Sequence, residues 1–83
     1  MASKKLRGIV FSATSGDHEP PHVHAFANQK RKKVVITLVR DGTVELRESA
    51  RGVTRAELVK ALEVATEFFD DLMTLWEKAH AEN

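Results

Sequence analysis

The sequence predicts a single α+β domain over residues 1–83: a four-stranded antiparallel β-meander with one long C-terminal helix on one face. Three observations predict it. Short runs of alternating apolar residues, bounded by Gly, Pro and Asp, fill the first half. A helix-start signature stands at Thr54-Arg55-Ala56-Glu57. From Leu58 to Ala79 apolar residues then recur at spacings of three and four.

The first strand is expected over about 7–14, with Ile9, Phe11 and Ala13 on one face and Val10 and Ser12 on the other. Residues 15–21 form a loop, because Gly16 and the Pro20-Pro21 pair fit poorly inside a paired strand. Further strands are expected at about 22–28, 33–39 and 43–47. The last hairpin turns at Asp41-Gly42. A two-residue turn there would mix polar and apolar residues on both faces. A three-residue loop, Arg40-Asp41-Gly42 with Gly42 left-handed, pairs Leu38 with Val44 and Ile36 with Leu46 and gives one apolar face. By the same reasoning Ala27 pairs with Val34, Ala25 with Ile36 and Val23 with Leu38. The opposite face then carries His22, His24, Phe26, Val35, Thr37, Val39 and Glu45, with His24, Thr37 and Glu45 in one row.

In the helix, expected at about 55–79, the Thr54 hydroxyl accepts from a first-turn amide and Glu57 reaches back. Leu58, Leu62, Ala65, Phe69, Leu72, Trp76 and Ala79 form the stripe, widened by Ala61, Phe68 and Leu75. Three heptads of this kind fit a sheet-facing core better than a coiled-coil seam. A straight helix from Arg55 to Glu82 would be about 42 Å long. A domain of this size is nearer about 30 Å across. The helix therefore frays, overhangs or bends.

Composition narrows the classes of function. Hydrophobic residues make up 42% and charged residues 30%, the balance of a globular chain rather than a disordered one. There is no cysteine, which excludes disulfides and thiolate zinc sites and fits a reducing compartment. Met1 to Arg7 has no apolar core, so no secretory signal is expected. No apolar run is long enough for a membrane span, and the expected location is cytoplasmic. Net charge is +1 but uneven: +5 over residues 1–47 and −4 over 48–83. A basic sheet half could steer anionic ligands, although such runs also serve solubility.

The most pointed chemistry lies at Asp17-His18-Glu19-Pro20-Pro21-His22-Val23-His24. His-x-His on a strand places both rings on one face, here expected to point away from the helix. Asp17 or His18 could fold over to complete a divalent metal site for zinc or a similar ion. The alternatives are local hydrogen bonding, with Asp17 capping a turn, or acid–base chemistry. The basic run Lys30, Arg31, Lys32 and Lys33, with Lys4, Lys5 and Arg7, could contact phosphates, including those of nucleic acid, but lacks interleaved aromatics. Phe26, Val35 and Val39, beside Val10, form an apolar patch expected to serve as an interface in a homodimer or with a small protein partner. His80 is assigned no role.

The segment Asp17, His18, Pro20, Pro21, His22, His24, with a late Trp76, resembles a family of small bacterial proteins, domain of unknown function 4160. The resemblance covers most of residues 7–78 and implies a meander followed by a helix. It names no reaction. Members are often encoded beside another small protein, which implies a toxin–antitoxin-like pair. The expected function is thus a small accessory or protein-binding module. The alternative is a metal-dependent or histidine-based enzyme acting on a phosphate-containing substrate.

Overall fold

The computed structural model describes residues 2–14, 16, 19–26 and 32–81. Among them the α+β expectation holds, with two corrections: the sheet has five strands, and the long helix is two. The strands are β1 (Ala2–Leu6), β2 (Ile9–Ala13), β3 (His22–Phe26), β4 (Lys33–Leu38) and β5 (Val44–Ser49), and the helices are α1 (Arg55–Glu67) and α2 (Phe69–Ala81). The sheet is an antiparallel meander in sequence order.

The additional strand is β1. Arg7 and Gly8 both have positive φ, 48° and 82°. That is the requirement of a two-residue hairpin turn whose twist matches its strands, and Gly8 meets it without a Cβ penalty. Leu6 then pairs with Ile9 and Ala2 with Ala13. Ala2 and Leu6 are buried on the helix side, while Lys4 on the same side reaches Asp71 at 3.9 Å.

The β4–β5 hairpin has the expected pairs, Leu38 with Val44 and Ile36 with Leu46. Gly42 is left-handed at φ 94°. Asp41 Oδ1 accepts from the Thr43 amide at 2.9 Å and its hydroxyl at 2.6 Å, which braces the loop. Between β3 and β4 the register differs by two residues from expectation: Val23 pairs with Ile36 and Ala25 with Val34. A shift of two keeps every side chain on its face, so apolar alternation cannot detect it. The expected partner Ala27 and the strand end at Asn28 lie outside the described residues.

One face of the sheet carries Ile9, Phe11, Ala13, Val23, Ala25, Val34, Ile36 and Leu38, and these form a single core with Ala61, Val64, Ala65, Leu72, Leu75, Trp76 and Ala79. The helix starts with the expected capping box: Glu57 N–H donates to Thr54 Oγ1 and Thr54 N–H to Glu57 Oε1. The bend falls at Phe68, with φ −107° and ψ 31°. The amide of Phe68 still donates to Val64 O and that of Leu72 to Phe68 O, so the backbone turns without losing these two bonds. Thr66 Oγ1 donates back to Leu62 O at 2.9 Å, a bond that bends helices. The bend lets α1 lie on β4 and β5 while α2 lies on β1 and β2, as a twisted sheet demands. It also fits the chain into 34 × 25 × 20 Å.

The uneven charge has an internal explanation in part. Arg7 donates to both oxygens of Glu67, at 2.9 and 2.6 Å. Lys32 Nζ lies 3.3 Å from Glu57 Oε1. With Lys4 and Asp71, these tie the basic sheet half to the acidic helices. Among the described residues no helix is long and apolar enough to cross a membrane.

Candidate functional site

Both helices lie on one side, so among the described residues the other sheet face is built from strand side chains, with Gly16 at the edge of its cleft. Three rows cross it. Ser12, His24, Val35 and Glu48 form one; Val10, Phe26 and Lys33 a second; His22, Thr37 and Glu45 a third. The expected row of His24, Thr37 and Glu45 is therefore corrected: the two-residue register shift puts His22 beside Thr37, and His24 beside Val35.

A β-bulge shapes this face. The register of β5 slips opposite Val35 and Ile36, so that Ile36 faces Leu46 while Val35 faces Glu48. Arg47 is the inserted residue. With strict alternation Glu48 would follow Val44 and Leu46 onto the helix side. The bulge turns it outward instead, so Arg47 and Glu48 both stand at the outer cleft. This cleft of about 280 Å³ is lined by Gly16, His22, His24, Lys33, Val35, Arg47 and Glu48.

His22 is the pivotal residue. It begins β3, directly after Pro21, and is only 6% exposed. Its Nδ1 lies 2.9 Å from the carbonyl oxygen of Pro20. A carbonyl can only accept, so Nδ1 carries the hydrogen. In the neutral ring Nε2 then keeps its lone pair. Arg47 Nη1 lies 3.4 Å from the same Nδ1. Both nitrogens are donors, so this is a contact and not a hydrogen bond. The ring also lies 5.6 Å from that of His24 and 5.2 Å from that of Trp76. Trp76 in turn stacks on His80 at 3.9 Å, whose Nδ1–H donates to Trp76 O at 2.8 Å. The expectation that both strand histidines face away from the helix thus needs correcting for His22. Standing at the strand's start, its ring touches both the outer cleft and α2.

The other expected site residues separate. Asp17, His18, Lys30 and Arg31 lie outside the described residues. Among the described residues no group of three His, Asp or Glu could hold a metal ion; His22 and His24 both line the cleft. Lys32 is paired with Glu57, and Lys33 lines the cleft. In the apolar patch Val10 is 38% exposed, Phe26 is half-buried, and Val35 is already buried within the domain at 4%. Val39 follows the end of β4, where its amide donates to Thr43 O.

Sequence reasoning missed Arg47, Glu48 and His80. A signal existed for the first two: a carboxylate at an expected core-facing position after Val44 and Leu46 points to a bulge. For His80 the signal was its spacing of four from Trp76, which makes the two side chains neighbours on a helix. On the helix side a second cleft, of about 390 Å³, is lined by Glu19, Pro21, Arg40, Phe69, Met73, Trp76 and Glu77. Trp76 therefore borders one cleft and touches the histidine of the other.

A family model described as Domain of unknown function (DUF4160) matches residues 8–77. No curated protein and no solved structure gives a significant match.

Proposed function

We propose that the chain, which belongs to that family, is a small cytoplasmic protein-binding module, one half of a two-protein system, working through the sheet face away from its helices. One observation carries the reading. The helices cover a single face, and the other presents exposed Val10 and half-buried Phe26 beside a polar cleft. Apolar side chains next to converging polar groups are the ingredients of a protein interface. The partner is a second copy or a small heterologous protein. Light scattering at micromolar concentration tests this. The expected result is a mass above the 9.3 kDa monomer, returned to monomer by Val10→Glu. A monomer unchanged by Val10→Glu removes the second copy. A heterologous complex unaffected by Val10→Glu and Phe26→Glu would then sink the reading.

A second reading, histidine-based chemistry on a phosphate-containing substrate with or without a divalent metal, draws on the His22 geometry. The Pro20 bond puts the hydrogen on Nδ1, so the neutral ring carries its lone pair on Nε2, and Arg47 and Lys33 line the same cleft as the ring. Elemental analysis of untagged protein is the test of the metal form, and stoichiometric metal lost in His22→Ala with His24→Ala is the expected result.

A further inference from the structure

We propose that the outer cleft is an oxyanion-binding site, anchored by Arg47 and Lys33, that takes a phosphate or carboxylate group. It rests on the reading that the outer face is the working face, and adds the chemistry recognised there. Three cations of the sheet half are engaged by the helices. Arg7, Lys4 and Lys32 each lie within 4 Å of a helix carboxylate. Among the described residues several other cations have no such ion pair, and of these Arg47 and Lys33 are the two that line the outer cleft. Glu48 lines the same cleft, yet pairs with neither. The polar approach to Arg47, from His22 Nδ1, brings a donor to a donor, because Nδ1 carries its hydrogen toward Pro20 O. The guanidinium thus faces the cleft with its hydrogen-bonding capacity available. Its planar fork suits the two oxygens of a carboxylate or phosphate.

The bulge makes this arrangement. It puts two consecutive β5 residues at the cleft, so Arg47 and Glu48 stand there together with Lys33. Counting imidazoles as neutral, two cations face one carboxylate among the described lining residues. Glu48 opposes a bare anion and accepts from any hydroxyl or ammonium group on the same ligand. The floor is Val35, which is buried and offers no competing acceptor from its side chain.

The fold supplies its own reporter. Trp76 is the single tryptophan, and its ring lies 5.2 Å from that of His22 at the cleft wall. Anion binding that moves or charges His22 changes Trp76 emission. Inorganic phosphate and glutarate are titrated separately at constant ionic strength, with Trp76 fluorescence and the ring resonances of His22 and His24 followed together. The expected result is a saturable response to at least one, weakened about tenfold by Arg47→Gln, the equivalent of one charge-assisted hydrogen bond. Glu48→Gln tightens binding, and Lys60→Gln, on the far surface of α1, leaves it unchanged. Preference for phosphate assigns the cleft to a phosphorylated ligand; preference for glutarate assigns it to acidic side chains. The proposal is overturned if neither probe saturates by fluorescence or by histidine resonances, or if Arg47→Gln responds like the parent. Self-association through Val10 is read separately, so a cleft that ignores anions in a dimer defeats only this proposal. A cleft that binds them in a chain that never docks defeats only the reading beneath it.

Discussion

Replacing His22 separates its structural role from its chemical one. The ring is nearly buried, touches Trp76 and His24, and donates to the Pro20 carbonyl. Burying a large side chain contributes about 1.5–3 kcal/mol, and an imidazole sits at the low end of that range. The hydrogen bond contributes about 0.5–1.5 kcal/mol net. Pro20 is exposed, so water can replace the lost donor and the smaller part of that range applies. His22→Ala should therefore cost about 2–3 kcal/mol, from a total of about 4–12 kcal/mol for a domain of this length. His22→Phe keeps a ring against Trp76 and loses only the bond, so its cost should be about 0.5–1 kcal/mol. Urea unfolding followed by Trp76 fluorescence measures both. With a slope of about 1 kcal/mol per molar for a small domain, His22→Ala should lower the midpoint by about 2 M or more. If His22→Phe proves as costly as His22→Ala, the hydrogen bond outweighs ring burial and the ranking is wrong. If His22→Ala changes stability by less than about 0.5 kcal/mol, the ring is not structural at all.

Leu72 is fully buried between α2 and the sheet, and Leu72→Ala should cost about 2–5 kcal/mol in the same assay; a loss below about 1 kcal/mol would contradict its place in the core. Gly8→Ala forces a Cβ onto a left-handed residue and should cost about 1–2 kcal/mol, raising amide exchange along β1 before the other strands. The Thr54 amide, with Lys32 assisting, holds the Glu57 carboxyl below its usual range, and Arg7 does the same for Glu67. A folded-state value below the unfolded one means that this stabilisation is whole above about pH 4.5, the ordinary Glu value, and is lost as pH falls through the lower folded-state value. Midpoints measured across that window should fall less steeply for Glu57→Gln than for the parent, and parallel curves would refute the assignment.

Features encoded by a few neighbouring residues can be read directly from the order of the amino acids. The capping box at Thr54 and Glu57 is a four-residue pattern, and it forms as read. The loop at Arg40-Asp41-Gly42 could be derived because only one loop length gives Val44 and Leu46 the same face as Ile36 and Leu38. Tertiary structure decided what local pattern leaves degenerate. β1, reading Ala-Ser-Lys-Lys-Leu, has no apolar alternation strong enough to announce a strand; it exists because the Arg7-Gly8 turn returns it along β2 and Asp71 receives Lys4. Helical periodicity runs unbroken through Phe68, yet the helix bends there, because its two halves rest on opposite ends of a twisted sheet. That His22 and His24 lie together was legible from their spacing, but their neighbours were not. A register shift of two leaves faces unchanged and exchanges row partners, which moved Thr37 and Glu45 from His24 to His22. The meeting of His22 with Trp76, residues far apart in the chain, depends on how α2 crosses the sheet. Spacing along a chain encodes faces and turns; which residues meet across strands and layers is settled only when the layers close on one another.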